Sequence, residues 1–469
     1  MTSSIAIVGA GFTGTLLAVH LLRHASCPLK VFLIEKRGAF GRGLAYSTGN
    51  RSHLLNVRVA NMSAFPDNPH HFLMWLWKRD DLAAPAHSIP PSGHAFVPRW
   101  LYGSYLEDQL DDAMRGAAPN VTCEKIAAEA IDLAPGENDH RLRLSNGADL
   151  RVHQVALCLG HFPPQLPCEP LACDIPADAI VRDPWDSDAL ERLPPDASVL
   201  IIGTGLTMVD VVMGLLDQGH CGPITALSRR GLLPTRHAEA GRYADFLKDR
   251  ALPTQTLAAF RLLRHEVRKA AAAGFNWRSV IDAVRPHTQK LWQNLPIEER
   301  RRFLRHARPY WEIHRHRTAP SVANRISRAM AQTQLTVRRG RLRTITAAGA
   351  RLGIVYRPPD GLEGIRMTAD VVINCAGPDC DFSRIQHPLV STLLDQGLIR
   401  PDPLGLGIET TPDGEVVNRD GDPVRGLLAL GPIARGMFWE LTAVPELRSH
   451  CAAIGRRITT SLPLTADSV

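Results

Sequence analysis

Ile5-Ala-Ile-Val-Gly9-Ala-Gly11-Phe12-Thr13-Gly14-Thr-Leu-Leu-Ala-Val-His-Leu-Leu22 opens the chain, and Glu35 follows a second apolar run, Val31-Phe-Leu-Ile34. Ile5 to Val8 read as a short buried strand, and the residues from Phe12 to about Leu22 as an apolar helix. Each glycine between them has a physical task. Gly9 permits the tight turn, Gly11 lets a pyrophosphate approach the backbone, and Gly14 lets helix and strand pack closely. The helix N-terminus offers N–H groups and a positive dipole end to phosphates. Glu35, with Lys36 beside it, ends the second strand where a carboxylate accepts hydrogen bonds from a ribose. Strand, glycine triplet, helix, strand and acid in this order predict a dinucleotide site rather than a plain strand–helix turn.

The 469-residue chain is long enough for two or three domains. It carries 54 Lys and Arg against 47 Asp and Glu, a formal charge of +7. The excess is concentrated at Arg300, Arg301, Arg302, Arg305, Arg308, Arg315 and Arg317. Such a cluster attracts polyanions. In a nucleotide-binding chain a solvated helix face or contacts to cofactor phosphates account for it better, so neither nucleic acid nor membrane is expected as a partner. No run reaches the roughly 20 apolar residues of a membrane span. The early glycine motif leaves no room for a cleaved signal peptide. The nine cysteines include no Cys-x-x-Cys; the closest pairs are Cys168/Cys173 and Cys375/Cys380. These features predict a reduced, cytoplasmic protein without a disulfide framework or a redox dithiol of the usual spacing.

A second unit of the same design follows a proline-rich stretch. Ser198-Val-Leu-Ile-Ile reads as a strand, Gly203-Thr-Gly205-Leu206-Thr207-Met208 as its glycine turn, and Ile224-Thr-Ala-Leu as the next strand. Met208 replaces the third glycine, so helix and strand are expected slightly farther apart. Where the first unit has Glu35, this one has Ser228-Arg229-Arg230. A carboxylate there suits NAD, whereas small hydroxyls and arginines suit a 2′-phosphate. The triplet predicts NADPH. Two further apolar strands run into glycines, Val155-Ala-Leu-Cys-Leu-Gly160 and Val371-Val-Ile-Asn-Cys-Ala-Gly377, and a third such segment ends at Gly431-Pro432.

Between these landmarks, residues 121–157 alternate as short strands with turns at Pro135-Gly and Asn146-Gly. Residues 254–332 look mostly helical, with Leu257, Phe260, Leu263 and Val267 on one face and an interruption from Pro309 to Pro320. The expected fold is α/β, with two Rossmann-like dinucleotide-binding domains. The NADP domain, with its helical insertion, lies within the FAD domain. The boundaries are 1–190 for the first part of the FAD domain, 191–334 for the NADP domain and 335–469 for the second part of the FAD domain.

Two nucleotide units with apolar strands ending at Gly160 and Gly377 resemble the two-dinucleotide-binding flavoproteins, in which FAD binds first and NAD(P)H second. More narrowly, Gly41-Arg-Gly43-Leu-Ala-Tyr, Leu55-Asn-Val, Phe96-Val-Pro-Arg-Trp-Leu-Tyr-Gly-Ser-Tyr, Trp311-Glu-Ile-His-Arg-His-Arg and Trp439-Glu resemble a bacterial group of FAD/NAD(P)-binding proteins. That group is in turn similar to class B flavin monooxygenases such as amine N-hydroxylases. The resemblance implies that Gly9, Gly11, Phe12, Thr13, Gly14, Glu35, Lys36 and Gly43 hold FAD, with Gly160, Gly377, Gly431 and Trp439 contributing. It implies that Gly203, Gly205, Leu206, Thr207, Ser228, Arg229 and Arg230 hold NADPH. Many relatives have Gly-Asp where this chain has Gly431-Pro432, so no side chain there can bond the ribityl chain of FAD.

For chemistry, a flavin performs the redox step and the protein orients it. His53, Asn56, Arg58 and Asn61 are candidate catalytic groups because their loop follows the first half-site; otherwise they satisfy loop backbone groups. Arg315, His316 and Arg317 are candidates to clamp an acidic substrate or cofactor phosphates, or else bind neighbouring helix ends. Trp439-Glu440 lies against the flavin ring or serves as a buried anchor. No histidine pair has metal-ligand spacing, and no Gly-x-Ser-x-Gly elbow is present. These residues predict an FAD-dependent, NADPH-using oxidoreductase of monooxygenase type acting on a small molecule. A flavin reductase or dehydrogenase with another acceptor, and a non-catalytic redox sensor, remain as alternatives.

Overall fold

A computed structural model describes residues 2–79, 92–168, 175–361 and 363–462. The chain divides into two units. The first comprises residues 1–49, 57–161 and 380–469, and the second residues 50–56 and 162–379.

The first unit is built on a six-stranded sheet, β16-β17-β7-β1-β2-β3. Its strands are β1 (Ser3–Val8), β2 (Leu29–Ile34), β3 (Val121–Ile126), β7 (Gln154–Leu157), β16 (Glu415–Val417) and β17 (Pro423–Ala429). All neighbours are parallel except β16 and β17. Ile5–Val8 and Val31–Ile34 are buried throughout, which explains their unbroken apolar runs: a parallel strand covered on both faces has no polar side. Helix α1 (Phe12–His24) buries every residue from Phe12 to Leu22. Against it lies α14 (Val444–Thr460), where Gly455 allows the close approach of His20 and the Cys451 thiol meets the Thr13 carbonyl at 3.6 Å. The short α2 (Gly43–Tyr46), α3 (His71–Trp77) and α4 (Arg99–Arg115) join through an aromatic cluster. In it Phe12 stacks on Tyr102 at 6.2 Å and Phe72 meets Tyr102 edge-on at 5.0 Å. A small antiparallel sheet of β4 (Ala130–Pro135), β5 (His140–Leu144) and β6 (Asp149–Val152) packs beside α13 (Pro388–Asp395).

The second unit repeats the principle with a five-stranded parallel sheet, β11-β10-β9-β15-β8. These strands are β8 (Ile180–Val181), β9 (Val199–Ile202), β10 (Ile224–Ser228), β11 (Leu335–Arg339) and β15 (Val371–Asn374). Helix α6 (Leu206–Asp217) follows β9, and α5 (Ser187–Glu191) precedes it. Strands β12 (Arg341–Ala348), β13 (Arg351–Arg357) and β14 (Ile365–Ala369) form an antiparallel sheet whose inner face packs on β9 and β15 through Ile345, Ile354, Leu200 and Val372. The insertion contains α7 (Thr256–Ala272), α8 (Trp277–Val284), α9 (Thr288–Asn294), α10 (Ile297–Arg302), α11 (Arg308–Arg315) and α12 (Pro320–Ala331). Leu247, Ile281, Val284 and Trp311 form its core.

Two expectations are corrected. The unit boundaries fall at 161/162 and 379/380, not near 190 and 335. The cause is pairing: β8, β11 and β15 all join the second sheet, and an apolar strand carries no mark of which sheet it will enter. Residues 308–315, expected to interrupt the helices, are themselves helix α11, because Pro309 sits in its first turn where the missing N–H costs nothing. On α7, Leu257 is exposed, Leu263 packs against the insertion's core, and Glu266 is buried with the Tyr243 hydroxyl at 3.1 Å. Among the described residues no helix is long and apolar enough to cross a membrane. Cys173 lies outside the described residues; Cys375 is buried.

Candidate dinucleotide sites

Both glycine turns sit at the carboxyl ends of parallel strands, where open α/β sheets bind ligands. At the first, Gly9 has φ +101° and its N–H donates to the Ile34 carbonyl at 2.9 Å. A Cβ on Gly14 would lie 1.9 Å from the Gly9 oxygen, so the expected close packing of helix on strand is real. Gly11 caps α1 without any side-chain hydrogen bond. The first N–H groups of such a helix have no intrahelical acceptor, which suits a phosphate. The Gly43 loop crosses this turn: Gly41 donates to the Ala10 carbonyl at 2.9 Å, and a Cβ on Gly43 would meet Gly11 Cα at 2.8 Å. Arg42, which sequence reading passed over, pins the loop through a two-pronged bond to Glu107 of α4, both contacts 2.7 Å. The Glu35 carboxylate accepts from Ala10 N–H at 3.0 Å and Arg37 N–H at 3.2 Å. Gly431 has φ +82° and stands against Thr13, where a Cβ would be 2.7 Å from Oγ1.

At the second turn, Gly203 has φ +108° and donates to the Leu227 carbonyl at 2.8 Å. Gly205 caps α6 with no side-chain bond, and a Cβ there would meet nothing within 4 Å. Leu206 and Thr207 begin α6, and Met208 is fully buried behind them. Ser228 Oγ lies 2.8 Å from Thr204 Oγ1 and accepts from Gly231 N–H at 3.0 Å. Thr204, the middle residue of the Gly-x-Gly, was missed because that position carries no signature. Arg229 is exposed. Arg230 lies over the Tyr310 ring, 5.1 Å from its centroid, and donates to the Arg305 carbonyl at 3.3 Å. Part of the arginine-rich insertion thus holds the loop of Arg230. Gly160 and Gly377 both have positive φ and open space where a Cβ would be. Each follows the strand next to its unit's glycine strand.

The four loop candidates have different surroundings. His53 Nε2 lies 3.0 Å from the Asp210 carbonyl of α6. The Asn56 carbonyl receives His237 Nε2 at 2.9 Å. Both belong to the second unit, whereas Arg58 and Asn61 belong to the first. Arg58 approaches His94 at 3.4 Å, and Asn61 is exposed. The four therefore make no single cluster within either unit. Arg317 lies in the second unit. It is 3% exposed, donates twice to Asp282 at 2.9 and 3.2 Å and once to the His314 carbonyl at 2.8 Å, and braces the insertion. Trp439 is buried, with the Arg435 guanidinium 4.5 Å from its ring centroid. Lys36 faces solvent and pairs with Glu129 at 3.4 Å.

A family model described as FAD-NAD(P)-binding matches residues 6–162. The fold is that of the two-dinucleotide-binding flavoproteins. The reduced form of the Pseudomonas aeruginosa ornithine hydroxylase is similar with a TM-score of 0.66 at 15% identity, over 98% of this chain and 99% of that one. The FAD-bound cadaverine monooxygenase of Erwinia amylovora gives 0.65 at 13% identity, over 100% and 97%. The thioredoxin reductase of T. acidophilum shares the two-dinucleotide fold more loosely, at 0.52 and 10% identity over 97% of each chain. No curated protein matches in sequence.

Proposed function

We propose that this protein is an FAD-dependent oxidoreductase that takes hydride from NADPH and acts as a class B-like monooxygenase on a small molecule. The observation that carries the reading is the contrast between the two turns. Glu35 ends the first and suits the adenosine ribose of FAD; Ser228, Arg229 and Arg230 end the second and suit a 2′-phosphate. The uncapped starts of α1 and α6 fit two pyrophosphates. When bound, the flavin supplies the chemistry of hydride acceptance and oxygen reduction. The chain's own residues bind and orient: Gly9, Gly11 and Gly14 admit the FAD phosphates, Gly43 and Gly431 close around that turn, and Gly203 and Gly205 admit those of NADPH. His53 and Asn56 are proposed as groups of the active centre, held by α6 and His237.

The cadaverine and ornithine enzymes to which the fold is similar suggest an amine as the substrate class, and cysteines without Cys-x-x-Cys spacing fit a cytoplasmic setting. The test is the stoichiometry of NADPH oxidation, oxygen uptake and peroxide release across a panel of primary amines. Suppression of peroxide by one amine, with a hydroxylated product, supports monooxygenation. Stoichiometric peroxide with every amine points to a reductase, and absence of NADPH oxidation with any acceptor points to a sensor.

A further inference from the structure

The two turns match residue for residue, and this internal comparison exposes a site residue that the glycine motifs do not mark. Gly9 N–H bonds Ile34 O as Gly203 N–H bonds Leu227 O, so Glu35 and Ser228 are equivalent positions. Glu35 reaches back to residue 10, and Ser228 reaches back to the equivalent residue 204. Three residues on, Gly38 and Gly231 both have positive φ, +66° and +61°. A Cβ on Gly38 would meet the Ala127 methyl at 3.6 Å; one on Gly231 would meet Arg339 Cβ at 3.2 Å. Strand pairing agrees. Ile34 pairs with Ile126 in β3, which puts residue 127 beside Glu35, and Ser228 pairs with Arg339 in β11. Ala127 in the first unit therefore corresponds to Arg339 in the second.

We infer that Arg339 binds the 2′-phosphate of the nicotinamide dinucleotide together with Ser228 and the Arg229-Arg230 loop; the inference rests on the NADPH reading. From the first turn to the second, an acid becomes a hydroxyl and, on the neighbouring strand, a methyl becomes a guanidinium. Direct parallel partners project from the same face of a sheet, so Arg339 and Ser228 share one face at its carboxyl edge. Arg339 is exposed, and among the described residues its side chain has no ion-pair partner. Arg338 pairs with Leu227 one step back and projects from the opposite face, which makes it an internal control.

The test is equilibrium binding of adenosine 2′,5′-bisphosphate and of AMP to the FAD-loaded protein, with flavin content and melting temperature verifying the fold of each variant. The wild type is expected to prefer the bisphosphate. Arg339→Ala should weaken bisphosphate binding by roughly tenfold or more, the scale of a charged hydrogen bond, while leaving AMP binding unchanged. Arg339→Lys should restore part of the loss and Arg338→Ala should change neither ligand. If Arg339→Ala keeps the wild-type preference, the inference is overturned and the NADPH reading stands. If the wild type itself binds both nucleotides equally, the NADPH reading falls and the inference with it.

Discussion

At the scale of single residues, glycine and buried polar groups set the sharpest limits. Gly14→Ala places a carbon inside the Gly9 carbonyl, and the forced separation of α1 from β1 should cost about 1–3 kcal/mol. Urea unfolding checks this, and an unchanged midpoint would refute the close packing. Arg317→Ala removes a buried guanidinium from Asp282 and the His314 carbonyl. Its expected cost is on the order of 2 kcal/mol, with turnover per folded molecule unaffected; a selective loss of turnover would restore the clamp role. His20 is held neutral, its pKa lowered from 6.5 to about 4 chiefly by burial and then by His24 and Arg23. The unfolded chain therefore binds an extra proton between about pH 6.5 and 4, so stability falls as pH drops through that window. The slope from one such group approaches about 1.4 kcal/mol per pH unit. Melting temperatures of His20→Leu should depend less steeply on pH there than those of the wild type.

At the scale of elements, the two strand–turn–helix units were legible because their chemistry is local. Strand, turn and capless helix start lie within one short run, and each glycine answers a steric need at its own position. The strands around them were less legible. Residues 335–339 and 371–374 each form a strand, and only pairing with β10 and β9 decides their sheet. Arg339 was invisible for the same reason: it is far from Ser228 in sequence and beside it in register. Arg317 carried a charge that suggested a ligand, but burial against Asp282 is a tertiary fact. Exchange of the loop is the matching test. Ser228→Glu puts a carboxylate where Glu35 stands in the first unit, and repulsion of the 2′-phosphate should invert the NADPH/NADH preference in kcat/KM. Retention of NADPH preference by that variant would contradict the assignment of the second turn.

At the scale of the molecule, two sheets of one design carry two different charge patterns at their carboxyl edges. The first holds the Glu35 carboxylate against its glycine turn, and the second has Ser228 at the equivalent position, followed in the chain by Arg229 and Arg230 and paired in register with Arg339. The central claim is that one chain uses FAD at the first and NADPH at the second, with electrons passing from the latter to the former. Anaerobic titration of the purified protein with NADPH, followed through flavin absorbance, tests it most directly. Flavin is expected to be retained through purification and bleached by about one equivalent of NADPH, the two-electron stoichiometry of hydride transfer to FAD, with NADH reducing it far more slowly. A flavin that NADPH leaves oxidised would contradict it.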